Sequence, residues 1–242
     1  MRIPNYLDTL NRYGLERLKS GDLQVRNDNI AVTADGDLQF GDRTVNALFR
    51  LVERWRVHQP TLNDLFEAMQ FHSRQRDETL DARNSGRGPS FVTDIDAFHE
   101  VTDRLRVDES GASIYAGTIC LVLNNLLQRF RVDAQPTSDA WRKAAPTFTG
   151  ESFSEIIAAA ANNFRHHDEW ARTNPPTPQQ IPSISVLQNV LGTRTSGDQG
   201  RGIRTNVCRE IVLLVSDGAI EQLHERLFAY AKNVCDFSPI TS

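Results

Sequence analysis

Ile156-Ile-Ala-Ala-Ala-Ala-Asn-Asn-Phe-Arg-His-His-Asp-Glu-Trp170 packs more chemically able side chains into one helical frame than any other segment of the chain. Laid on a helix at about 100° per residue, it divides into two chemically distinct sides. Ile157, Ala160, Phe164 and Ala171 share one face with Ile156 beside them, and this face is expected to be buried. His167 falls in the middle of that face, Asn163 lies one turn earlier, and Trp170 flanks both. Arg165, Glu169 and Asn162 fall on the opposite side, while His166 and Asp168 sit near the boundaries. The segment therefore predicts an inward trio (Asn163, His167, Trp170) and an outward set (Asn162, Arg165, Glu169).

Each side has two readings. The inward trio is a buried polar network, because an unpaired buried group costs about 1–3 kcal/mol, or it lines an interhelical pocket with His167 as acid, base or ligand. The outward set is a solvated face carrying an Arg165–Glu169 pair at i,i+4, or a functional surface. In the second case Arg165 holds phosphate and His166 or His167 is the acid/base, with Glu169 orienting the histidine or positioning Arg165. Metal is not expected. Adjacent residues on a helix point about 100° apart, no cysteine lies near His166 and His167, and no second histidine-rich motif supplies matching ligands. No cofactor motif occurs either: the Gly-x-Gly of the 83–89 loop has no following Lys-Ser/Thr, so there is no P-loop.

Working outward, Ser152 to Ser154 open the helix, with Glu155 favourably placed in its first turn. Asn174-Pro-Pro-Thr-Pro178 ends it, and Ile184, Val186, Leu187, Val190 and Leu191 make a short helix closed by Gly192. The following 193–204 stretch is glycine-rich and carries three arginines against one acid. It reads as a surface loop, or as one that orders around a phosphate or RNA backbone through Arg201 and Arg204. Residues 207–215 and 219–234 form a closing helical hairpin around Asp217-Gly218.

Upstream, residues 133–150 hold Pro136, Pro146 and Gly150 and read as a long connection with a short helix around Trp141, the best candidate for a subdomain boundary. Before it, residues 114–130 are dense in Leu, Val and Ile and are expected to be the central buried helix, preceded by another helix through Phe91, Ile95, Phe98, Val101 and Leu105. Val45, Leu48, Phe49, Val52 and Trp55 trace an amphipathic helix that Pro60 is expected to break. Thr61 starts the next one, with Asp64 placed as in a capping box. The nearly all-polar tail of that helix, residues 72–78, is expected to project or fray. At the N-terminus Tyr6, Leu7, Leu10, Gly14 and Leu18 give a helical stripe. Leu23/Val25, Ile30/Val32 and Leu38/Phe40 then alternate in twos around Asp35-Gly36, which predicts an antiparallel β-meander over 22–41. The sum is a mainly α single domain over 1–242, a multi-helix bundle with a small meander near the N-terminus.

Composition narrows the function classes. A net charge of -4 gives no global basic field to recruit nucleic acid, although local basic loops are not excluded. The three cysteines (Cys120, Cys208, Cys235) are scattered without a CxxC, so a disulfide framework is not expected and a reducing cytoplasm fits best. The first residues lack a signal-peptide core, and the most apolar run, 114–127, is too short to span a bilayer, so no membrane is expected.

At Arg165-His166, within Asn-Asn-Phe-Arg-His-His-Asp-Glu-Trp, the chain resembles helical domains of the HEPN type, common in bacterial defence and toxin–antitoxin systems. In such domains an Arg followed by a polar residue lies on a late helix. In active members a His follows after four to six residues, and dimerisation joins two motifs for metal-independent RNA cleavage. The resemblance thus implies RNA chemistry and a homodimer. None of His58, His72, His99, His166, His167 and His224 has an Arg five to seven positions upstream, so that catalytic His maps to no residue here. Two functions follow. One is a non-enzymatic interaction or regulatory protein of defence type, meeting a protein partner through the polar face at 162–170. The other is an RNA- or nucleotide-directed enzyme or sensor using Arg165 with His166 or His167.

Overall fold

The computed structural model describes Arg12 and residues 25–26, 29–30, 43–85, 88–89, 94–173, 175–192 and 206–237. In chain order these form strands β1 (Val25–Arg26) and β2 (Asn29–Ile30), then helices α1 (Arg43–Asn84), α2 (Ile95–Ala134) and α3 (Ser138–Lys143). Strands β3 (Thr147–Phe148) and β4 (Glu151–Ser152) follow, then α4 (Phe153–Arg172), α5 (Ile181–Leu191), α6 (Cys208–Ser216) and α7 (Ile220–Asp236). The protein is mainly helical, as its periodicity predicts.

The two longest helices form an antiparallel hairpin. Arg43 reaches Gln135, Arg54 pairs with Asp133 at 2.6 Å, and His72 pairs with Asp108 at 2.9 Å, so α1 and α2 run alongside each other in opposite directions. Pro60 does not break α1. It is exposed, and the buried stripe Leu51, Val52, Trp55, Leu62, Phe66 and Met69 keeps its phase across it. Packing of that stripe against the rest of the core outweighs the roughly 3 kcal/mol that an interior proline costs a helix.

Nor does the polar tail of α1 fray. Arg104 of α2 donates to Gln75 at 2.6 Å, while Arg209 of α6 donates to Ser73 at 2.9 Å and pairs with Asp77 at 3.1 Å. Polar partners supplied by two other helices do there what apolar burial does elsewhere. Likewise the expected helices before and after residue 110 are one helix, α2, which runs through Gly111. A Cβ at Gly111 would lie 2.9 Å from His72 Cγ, so the glycine lets the two long helices close on the imidazole.

The sheet component needs correcting. Of the meander expected over 22–41, the described residues hold one short ladder, Val25–Arg26 with Asn29–Ile30, and the rest of it lies outside the described residues, as do most of the 6–18 helix positions. The two-stranded sheet that joins the helical body lies instead at Thr147–Phe148 and Glu151–Ser152, far from the N-terminus. Thr149 and Gly150 between them both have positive φ, 50° and 89°, the backbone that a two-residue primed turn demands. Glycine meets that demand without strain at the second position.

The core is built around α2. Its Ala116, Ile119, Cys120, Leu123, Leu127 and Phe130 are fully buried among Leu51 and Leu62 of α1, Ile156 and Ile157 of α4, and Ile211 and Val215 of α6. Trp141 of α3 stacks on Phe130 and meets Tyr230 of α7 edge-on, so residues 133–150 pass over this same core. Among the described residues α2 is the one helix long and apolar enough to cross a membrane by length and composition, and its apolar side is occupied by that core.

Candidate functional site

Helix α4 starts with a complete capping box. Ser152 Oγ accepts from the Glu155 N–H at 3.4 Å, and Glu155 Oε2 accepts from the Ser152 N–H at 3.4 Å. This sets the rotation of the helix, and with it the direction of every side chain that follows. Ile156, Ile157, Ala160 and Asn163 face inward and are fully buried, with Trp170 at 3 % exposure. Asn163 Oδ1 accepts the Val207 N–H at 3.0 Å, fastening the chain at the start of α6, and Cys208 Sγ donates to the Ala160 carbonyl at 3.3 Å. A hydrogen bond with Cys120, reinforced by burial, holds the Cys208 thiol well above its ordinary pKa, so it is a packing group rather than a nucleophile.

His167 does not join this network. A third of its side chain is exposed, its Nδ1–H donates to the Phe164 carbonyl at 3.1 Å, and its Nε2 lies 3.5 Å from Asp168 Oδ1. Ala171, expected on the buried face, is exposed. Periodicity specifies direction around the helix axis but not how far the packing partners extend along it, and burial thins before the last turn.

The outward residues separate into two grooves. On one flank Asn162, His166, Glu169 and Trp170 meet Thr177, Gln180 and Ser183 around a groove of about 280 Å³. Asn162 Nδ2 donates to Ser183 Oγ at 3.2 Å, and His166 Nδ1 lies 3.3 Å from Glu169 Oε2. Glu169 thus pairs with His166 at i,i+3, not with Arg165 at i,i+4. On the other flank Arg165 opens on a groove of about 560 Å³ that it shares with His58 of α1 and with Thr118, Leu121, Val122, Asn124, Asn125 and Gln128 of α2. Sequence neighbours Arg165 and His166 therefore serve different spaces, separated by α4 itself. Arg201 and Arg204 lie outside the described residues.

Two features have no local mark in the sequence beyond a single glycine. His58 and the amides of α2 belong to the Arg165 groove, and nothing in their own segments marks them, since they meet only across three helices. The second is the His72–Asp108 pair. Asp108 is an acid only 6 % exposed, and the His72 ring stacks on Tyr115 with centroids 5.7 Å apart. The glycine at 111 inside a helical pattern was the available signal for this close approach. Among the described residues no group of three or more His, Cys, Asp or Glu side chains is arranged to hold a metal ion.

Comparison with known proteins finds no matching family model, no matching curated protein and no matching solved structure.

Proposed function

We propose that this protein is a non-enzymatic interaction or regulatory protein of the bacterial defence type that its resemblance implies, working in a reducing cytoplasm. Its contact surface is the groove between α4 and α5. One observation carries the reading: Arg165 and His166 open on opposite flanks of α4. A phosphate-holding arginine and an acid/base histidine acting on one substrate must converge within hydrogen-bond reach of the same group. Within one chain these two do not. The α4–α5 groove instead offers amides and hydroxyls, each able to donate and accept, above the buried Trp170 ring, with His166 and Glu169 as a charged pair on its rim. That is the chemistry of a surface that meets a polar segment of another protein.

The test uses a photo-crosslinking amino acid at Ser183 and, as a control, at Arg129 on α2. A discrete adduct from position 183, lost in folded Asn162→Ala and Glu169→Ala variants and missing from position 129, supports the reading. In parallel, purified protein is incubated with labelled RNA and EDTA. Cleavage that disappears in a folded His166→Ala or His167→Ala variant overturns the non-enzymatic reading in favour of an RNA-directed enzyme.

A further inference from the structure

We infer that the groove over α2, walled by α1 and α4, is a binding site for a small ligand that joins a planar heterocycle to a phosphate, of the nucleoside 5′-monophosphate class. It is a different space from the α4–α5 groove and stands whether or not that groove meets a partner.

Charge is the first argument. The chain carries a net charge of -4, yet the side chains around this groove include Arg165 and His58 and no carboxylate. Several arginines elsewhere in the fold are committed: Arg54 to Asp133, Arg209 to Asp77, Arg226 to Asp217. Among the described residues the Arg165 guanidinium has no ion-pair partner within 4.0 Å. Its five donors in a fixed fork match a phosphate, and it stays charged at any physiological pH. His58 adds a further nitrogen from α1.

The floor and the far wall supply the second argument. Leu121 and Val122 are half-buried and give an apolar surface on which a flat ring can lie. Asn124, Asn125 and Gln128 surround it with amides, which present a donor and an acceptor together, as the edge of a heterocyclic base requires. Asn124 Oδ1 is buried with no hydrogen-bond partner, an acceptor kept from water and left unsatisfied. A volume of about 560 Å³ lies within the usual range for small-molecule sites and exceeds what an inorganic anion needs.

The experiment is isothermal titration of the full chain with AMP, GMP, CMP and UMP, beside adenosine, guanosine and inorganic phosphate. At least one nucleotide should bind, and should bind more tightly than its nucleoside or phosphate alone. Arg165→Gln and Gln128→Ala, both surface changes, should each weaken it, the arginine change by about tenfold or more, the weight of a hydrogen bond to a charged group. Arg172→Gln, at the end of the same helix and outside the groove, should leave it unchanged. No binding of any of the four at millimolar concentration overturns the inference. So does affinity indifferent to Arg165→Gln, or phosphate alone binding as tightly as the nucleotides. Crosslinking from Ser183 reports on the other groove, so the two proposals fail separately.

Discussion

The ring of Phe164 lies over the backbone of Gly117, so close that a Cβ at that glycine would sit 2.0 Å from Phe164 Cδ2. This contact sets the separation of α2 and α4, and therefore the depth of the Arg165 groove beside it. Gly117→Ala gains helix propensity of about 1 kcal/mol but forces a partly buried aromatic ring out of place, so a net loss on the order of 1–3 kcal/mol is expected. Urea denaturation measures it. Adding Phe164→Leu should recover part of the loss, and equal stability of wild type and Gly117→Ala would show that the ring moves aside freely.

Asn163 and Arg165 should respond oppositely to truncation. Asn163→Ala orphans the buried Val207 N–H and empties a fully buried position, so a loss of about 2 kcal/mol is expected. Arg165→Ala, on an exposed position, should fall within about 0.5 kcal/mol of wild type. His167→Ala should lie near Arg165→Ala, because His167 is only partly covered. Thermal melts of the three variants decide whether Asn163 anchors α6.

Acid should weaken the fold through His224. This side chain is 1 % exposed between Trp55 and Phe228, and burial lowers its pKa from 6.5 to about 4, with the Arg12 guanidinium acting in the same direction and the Glu225 carboxylate opposing. The fold binds the neutral ring, so this contribution is complete above the unfolded pKa near 6.5 and is lost as pH falls through about 4. A loss on the order of 2–3 kcal/mol across that window is expected. Melting temperature followed from pH 7.5 to 4 should fall less steeply in His224→Phe.

Replacing the exposed helix proline should stabilise the protein. Pro60→Ala restores an N–H to the α1 ladder at a position with no core contact to lose, so a gain of about 1–3 kcal/mol is expected. A lower melting temperature in this variant would mean that a bend at Pro60 is needed to lay α1 along α2.

Much of this was open to reading in the sequence. The inward placement of Asn163 and Trp170, the stop signals after Arg172 and at Gly192, and the turn at Asp217-Gly218 follow from local rules of period, capping and turn chemistry. The misreadings share one cause. Pro60 and the polar run at 72–78 have local preferences that are overridden by partners distant in sequence: the α2 core, Arg104 of α2 and Arg209 of α6.

Local sequence rules specify the helical class, the capped start of α4, its stop after Arg172, and the inward direction of Ile157, Ala160, Asn163 and Trp170, because each depends on neighbours within about one turn. Packing between distant segments makes α1 and α2 two long unbroken helices, leaves His167 outside the core, and opens Arg165 and His166 on different grooves. Those outcomes depend on where other helices end and how closely they approach. A groove is a property of the space between elements, and no single segment carries it.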